Sequence, residues 1–202
     1  MNKNDLLRSI AEKGYDVGFG AKKHFSTYDI IVKMPGLISF VSMAFGIIAL
    51  AVNDLSTELI SAVFIILGIV GLYISFNDHE KEDYDEAGIK LTQILNELKA
   101  LYYGVKGIDE AEDFSDQQKA LAEIESRYYP VCISKQILFS NWYAHYKFFW
   151  EQQTGWIDEQ LHFKFFRDKI PLSLMIVVIF MVLVVGLCAT DLINYICSAT
   201  KS

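Results

Sequence analysis

Two apolar runs dominate the hydrophobic pattern of the chain. Pro35–Val52 and Leu59–Phe76 each hold 18 residues without Lys, Arg, His, Asp or Glu. At about 1.5 Å rise per residue, each makes a helix of roughly 27 Å, against a hydrocarbon core of about 30 Å. Only Asn53-Asp54-Leu55-Ser56-Thr57-Glu58 separates them. So short a polar connection makes the two helices antiparallel neighbours, a transmembrane hairpin. A third uncharged run, Pro171–Thr190, is 20 residues long and predicts a further span, with Pro171 suited to its first turn.

Between the second and third runs the pattern changes to helical amphipathicity. Asn77-Asp78-His79-Glu80-Lys81-Glu82-Asp83 is a dense charge run, read as a solvated helix face. Asp83 stands four residues after His79, so no His pair with metal spacing exists there. Beyond it Tyr84, Leu91, Leu95, Leu98, Tyr102 and Val105 follow a pattern of sevens split four and three, weakened at Gly88. The second span is expected to continue into this helix. Its stripe, with Leu91, Leu95, Leu98, Tyr102 and Val105 as the packing or oligomerisation residues, must meet either later helices or another copy of itself.

Gly104 and Gly107 end that helix, and Ser115-Asp116-Gln117-Gln118 reads as a capping box opening a short one with Leu121, Ile124 and Tyr128 on one face. Pro130 breaks it. An aromatic helix is expected from about Val131 to Gln153. Trp156–Arg167 reads as an interfacial helix or elbow, with Trp156, Lys164, Arg167 and Lys169 at the headgroup level. Residues 1–34 are polar, with a short amphipathic start at Leu6, Leu7 and Ile10. Gly14-Tyr15-Asp16-Val17-Gly18-Phe19-Gly20 lacks dinucleotide-binding spacing and reads as a flexible hinge.

The expected architecture is an all-α membrane protein. A cytoplasmic N-terminal segment (1–34) leads to the transmembrane hairpin (35–76). A cytoplasmic helical bundle (77–169), a third C-terminal transmembrane helix (170–191) and a short external tail (192–202) follow. Charge sets the orientation. Lys3, Arg8, Lys13, Lys22, Lys23 and Lys33 precede the first span, while the hairpin turn holds only Asp54 and Glu58. The positive-inside rule places the N-terminus in the cytoplasm and the C-terminus outside, for a multi-pass protein of the inner (plasma) membrane. Ala49-Leu50-Ala51 resembles a signal-cleavage site, but 34 residues before the run is long for a signal peptide.

Small residues recur at helical spacing in the hairpin: Ser39, Ser42 and Gly46 on the first span, Gly68, Gly71 and Ser75 on the second, with Ser61 near its start. Such residues let helix backbones approach closely in lipid. Two readings stay open. These stripes pack the hairpin within one subunit, or one of them faces a neighbouring subunit or a pore. Uncharged spans weigh against a proton relay, a coupled transporter or a charged selectivity ring.

Composition adds exclusions. The chain is 52% hydrophobic with a mean hydropathy of +0.26, and its net charge of −7 argues against a general nucleic-acid binder. Cys132, Cys188 and Cys197 form no CxxC and no zinc pattern, and read as reduced structural thiols. No cofactor or metal is expected. No Ser/His/Asp or Cys/His constellation supports catalysis, and a membrane enzyme would need an acid/base group that the spans lack.

The order of these parts, with Tyr128-Tyr129-Pro130 and Asn141-Trp142-x-x-x-Tyr146-x-x-Phe149, resembles the SLATT family of prokaryotic two-helix membrane effectors. The family is named for its association with SMODS nucleotidyltransferase and SLOG sensor domains. The likeness covers roughly residues 5–170, and the third span departs from the minimal two-span plan, implying a branch of the family with an extra C-terminal transmembrane helix. It implies an effector held silent until an upstream sensor protein or nucleotide second messenger releases it during phage infection. It would then depolarise the membrane as a homo-oligomer. The alternative is a non-conducting membrane scaffold or adaptor docking partners through its cytoplasmic helices.

Overall fold

A computed structural model describes residues 1–51 and 58–189 of the chain. The hairpin turn, Cys197 and the 192–202 tail lie outside the described residues, as does the side chain of Cys188. The described residues are helical or irregular, with no strand among them. Seven α-helices follow one another: α1 (Lys3–Ala51), α2 (Glu58–Ser75), α3 (Lys81–Lys106), α4 (Ser115–Tyr128), α5 (Ser140–Tyr146), α6 (Gly155–Leu161) and α7 (Leu172–Ala189). Met1–His162 form one compact unit, and the described part of Phe163–Ser202 belongs to a second.

The main departure from expectation lies at the N-terminus. α1 is one helix of 49 residues, about 74 Å at 1.5 Å per residue, and it runs without a hinge through Gly14, Gly18 and Gly20. Here the glycines are contact points. A Cβ on Gly14 would lie 2.3 Å from the Trp156 ring, and one on Gly18 would lie 2.9 Å from the Phe148 ring. On α3 a Cβ at Gly88 would meet the Phe25 ring at 2.8 Å. Each absent side chain makes room for a ring from another helix. Around these notches Leu6, Leu7, Ile10, Ala11, Val17, Ala21 and Ile31 are buried. Together with the buried Gly14, Gly18, His24 and Thr27 they recur every three or four residues, so the arm before Pro35 is an amphipathic helix with small residues in its buried face.

The stripe on α3 closes against this arm. Leu91, Leu98, Tyr102 and Val105 are fully buried, and Leu95 nearly so. Leu95 Cδ2 approaches the Gly18 position and Leu91 Cδ1 the Gly20 position. The stripe is therefore satisfied within one chain, chiefly by α1. α6 packs across α1 and α3, where Trp156 lies on Tyr102 with ring centroids 5.2 Å apart. α4 is tied to α3 by Arg127 and Glu97, and to α1 by Lys13 and Glu125 (3.4 Å). Burial alone would lower the Lys13 pKa, but Glu125 and Tyr129 outweigh it and hold the ammonium above its ordinary value.

Several local expectations are corrected. Phe114, not Ser115, occupies the N-cap of α4 and makes no side-chain cap bond. Asp113 takes over part of the role, accepting from the Ser115 hydroxyl (2.7 Å) and backbone N–H (3.2 Å). The long aromatic helix expected from Val131 is broken. A 3-10 turn at Tyr129–Val131 leads into an extended strap over 132–137 and a turn at 138–139, and α5 starts only at Ser140. Pro130 offers no N–H to the helix ladder, while Tyr129 before it keeps helical dihedrals; the backbone turns extended at Cys132. α5 then widens into a π-turn at Lys147–Glu151. α2 and α3 are separated by a short break at Phe76–Glu80 that includes a 3-10 turn, so the second apolar run and the stripe are not one unbroken α-helix.

Candidate functional site

The two apolar runs become the last third of α1 and nearly all of α2. These are the two described helices long and apolar enough to cross a membrane. Their large described side chains are mostly exposed. Leu50 is 88% exposed, and Phe40, Ile47, Ile65 and Leu72 are each above 60%. Such a surface is unstable in water and matches hydrocarbon. Ser39 donates to the Pro35 carbonyl oxygen (2.9 Å) and Ser75 to that of Gly71 (2.9 Å). Both hydroxyls are thus satisfied inside their own helices, as an apolar solvent requires. Pro35 itself has no N–H and cannot close the helix ladder at the point where the arm becomes the apolar run.

The hairpin brings part of the small-residue set together. Ser42, Gly46 and Ser61 line one cleft of about 420 Å³ between α1 and α2, with Phe45, Ala49, Ile60 and Phe64. Phe45 and Phe64 meet edge-on across the hairpin, with centroids 5.7 Å apart. Gly71 faces the other helix, where a Cβ would lie 3.9 Å from Ile38 Cδ1. Gly68 turns away, and a Cβ there would meet nothing within 4 Å. The seven residues therefore occupy more than one surface: a cleft, a helix–helix seam and an outward face.

Where the hairpin meets the rest of the unit, the extended strap is hydrogen-bonded to α1 and α3. His24, buried on α1, accepts the Ile133 N–H at Nε2 (3.0 Å), while its Nδ1 lies 2.7 Å from the Gly20 carbonyl oxygen. These contacts define the neutral Nδ1–H tautomer, and burial holds its pKa below the ordinary value. Thr27 Oγ1 bonds Gln136 (2.6 Å), and Tyr84 OH donates to the Lys135 carbonyl oxygen (2.8 Å). Burial and the Glu80 carboxylate beside it push the Tyr84 phenol up to about 12. Ile137 completes the joint in a cluster with Ile31, Ile74 and Tyr84. Nearby, Asp29 binds both Lys147 and Lys33. Burial would raise its carboxyl, but the two lysines hold it below the usual range. The sequence offered little signal for this strap, because His24, Thr27 and Gln136 join only through contacts more than 100 residues apart.

The residues assigned to the membrane interface separate. Trp156 is a core residue, 5% exposed and wedged over Gly14, and so does not serve as a headgroup anchor. Lys164, Arg167 and Lys169 lie in or beside a π-turn at Phe165–Lys169. Lys164 and Arg167 are exposed. Asp168 accepts from Arg167 Nε (2.8 Å) and from the Lys164 N–H (2.8 Å), which offsets part of the basic charge. α7 is uncharged and its described apolar side chains are largely exposed, Leu172 and Val185 among them. No group of three or more His, Cys, Asp or Glu suited to a metal occurs among the described residues.

The family described as "SMODS and SLOG-associating 2TM effector domain 6" matches residues 1–178. Its two-span description agrees with the two long apolar helices. No curated protein and no solved structure matches the chain.

Proposed function

The chain belongs to the SLATT family of SMODS- and SLOG-associating 2TM effectors, and from that premise we propose that it is a membrane effector whose hairpin assembles into a pore or lesion. Assembly is homo-oligomeric, and it is released by an upstream sensor protein or nucleotide second messenger in prokaryotic antiphage defence. The single observation that carries this reading is the contrast between a consumed and an unconsumed surface. The α3 stripe is used up against α1 within one chain. The hairpin keeps small residues on a cleft and on an outward face, with Ser42, Gly46 and Ser61 on the one and Gly68 on the other. Subunits therefore join through the membrane helices rather than through the stripe.

The chain sits in the inner membrane with its N-terminus and its helical domain in the cytoplasm, and α7 supplies a third span. It works without catalysis or a cofactor. The uncharged spans suit a narrow neutral pathway or a local bilayer defect. The test is ion flux across liposomes holding the purified chain, with a SMODS- or SLOG-domain protein or a panel of nucleotide second messengers added. Flux that appears with the trigger supports the reading. A discrete oligomer that stays tight under every trigger overturns it and leaves an anchored adaptor.

A further inference from the structure

We propose that the turn at Leu138-Phe139 is a membrane-docking wedge that seats both side chains at the headgroup–acyl boundary of the leaflet the hairpin enters from the cytoplasmic domain. The inference rests on the reading that the hairpin spans the bilayer, and it is independent of pore formation.

The position of the turn is set by its neighbour. Ile137 is buried in a cluster with Ile31 and Ile74, and Met34 and Val70 pack against that cluster. Ile74 and Val70 belong to the second apolar run, and Met34 adjoins Pro35, where the first run begins. Ile137 therefore sits at the edge of the apolar slab. From there α5 leads away toward Phe148, which is buried against Gly18 in the middle of the cytoplasmic arm. The turn between them is the end of this segment closest to the lipid.

The exposure pattern along the turn is abrupt. Ile137 and Ser140 are buried, whereas Leu138 is 61% and Phe139 53% exposed. Isolated exposed apolar residues are ordinary, but two adjacent ones level with the ends of two spans share the solvent of those spans. The backbone is committed to this display. Phe139 has φ 67°, a left-handed conformation that a bulky aromatic rarely adopts. The residue occupies the N-cap position of α5. Its ring lies 5.1 Å from that of Trp142, giving the turn an aromatic flank of the kind favoured at the headgroup level.

The strap that carries the turn is anchored by the His24, Thr27 and Tyr84 contacts, so the wedge is presented on a fixed support. Lys33, next to Met34 in the chain, and Lys135, three residues before the turn, are exposed and suit lipid phosphates, although each also pairs with a carboxylate, Asp29 and Glu80. The occupant is the bilayer itself, by continuity with the hairpin.

The test uses the full chain in liposomes of phosphatidylcholine and phosphatidylglycerol, with Cys132, Cys188 and Cys197 replaced by Ser and a spin label placed on Leu138→Cys. Collision with oxygen, which concentrates in hydrocarbon, is compared with collision with a water-soluble nickel chelate. Tyr129→Cys is the water-exposed reference and Phe40→Cys the span reference. Insertion to the headgroup–acyl boundary predicts nickel collision at position 138 at least about threefold below that at position 129, with oxygen collision raised toward that at position 40. Nickel access equal to that at position 129 overturns the proposal. An immobilised label shielded from both agents also overturns it, because it places protein rather than lipid on the turn. Nickel access at position 40 overturns the spanning reading and the wedge with it. Phe139→Trp provides a second readout: lipids brominated near the headgroup end of the acyl chain quench its added emission relative to the parent protein, and absence of added quenching overturns the proposal.

Discussion

α1 passes from one environment to another at Pro35, and its two halves differ in what covers them. Before Pro35 the helix buries one face under α3, α4, α5 and α6, with rings filling the notches at Gly14 and Gly18. After Pro35 it packs against α2 and exposes Leu37, Phe40, Met43 and Ile47. The same residue type means opposite things in the two halves. A glycine in the arm is a socket for a ring. Gly46 has nothing within 4 Å of its Cβ position, and the same holds for Gly68 on α2. The arm is held by protein packing, and the span by the solvent it is placed in.

The comparison breaks most sharply through truncation of large side chains. Leu98→Ala, at a fully buried stripe position, is expected to cost about 2–5 kcal/mol of stability in denaturant titrations in detergent. Leu72→Ala, on the uncovered face of α2, is expected to change it by less than about 0.5 kcal/mol. Equal losses would mean that the stripe is not the core.

A smaller effect is expected from adding one methyl. Gly14→Ala drives a Cβ into the Trp156 ring and should destabilise the protein by about 1–3 kcal/mol, despite the better helix propensity of Ala. Gly68→Ala should leave monomer stability within about 0.5 kcal/mol of the parent. Any change it makes to oligomer mass in detergent then reports an intersubunit contact. Destabilisation of the monomer by Gly68→Ala would show that the outward face is already covered.

The smallest effect is tied to protons. The pKa of His24 in the folded chain lies below the ordinary 6.5, first because of burial. Below 6.5 the unfolded chain takes up a proton that the folded chain resists, so stability falls as pH drops from 6.5 toward the folded value and is unaffected above it. Burial shifts His145 in the same direction. Melting temperatures should therefore be lower near about pH 5.5 than near about pH 7.5, and His24→Gln, which has no proton to gain there, should flatten part of that slope. An unchanged slope in His24→Gln would remove His24 as a source.

Much of this organisation was legible along the chain because it depends on one-dimensional quantities. An uncharged run of 18 residues states which solvent it prefers, whatever its neighbours. The α3 stripe likewise announced a buried face through its spacing alone. The arm was harder to read, because Gly14 and Gly18 count as helix breakers until the rings that fill them are known. Trp156 misled for a related reason. An aromatic beside Lys164 and Arg167 looks interfacial, and only the notch at Gly14 makes it core.

The sequence by itself determined the helical class, the two membrane-length runs, the α3 stripe and the likeness to the SLATT family, since local composition and periodicity suffice for these. Only the tertiary structure decided that the stripe is consumed within one chain, that the arm is a continuous helix, and that a strap joins residues 24–31 to residues 133–137 at the edge of the hairpin. Those outcomes depend on which surfaces meet across more than 100 residues of chain. Hydrophobic spacing shows that a face must be covered and leaves open what covers it.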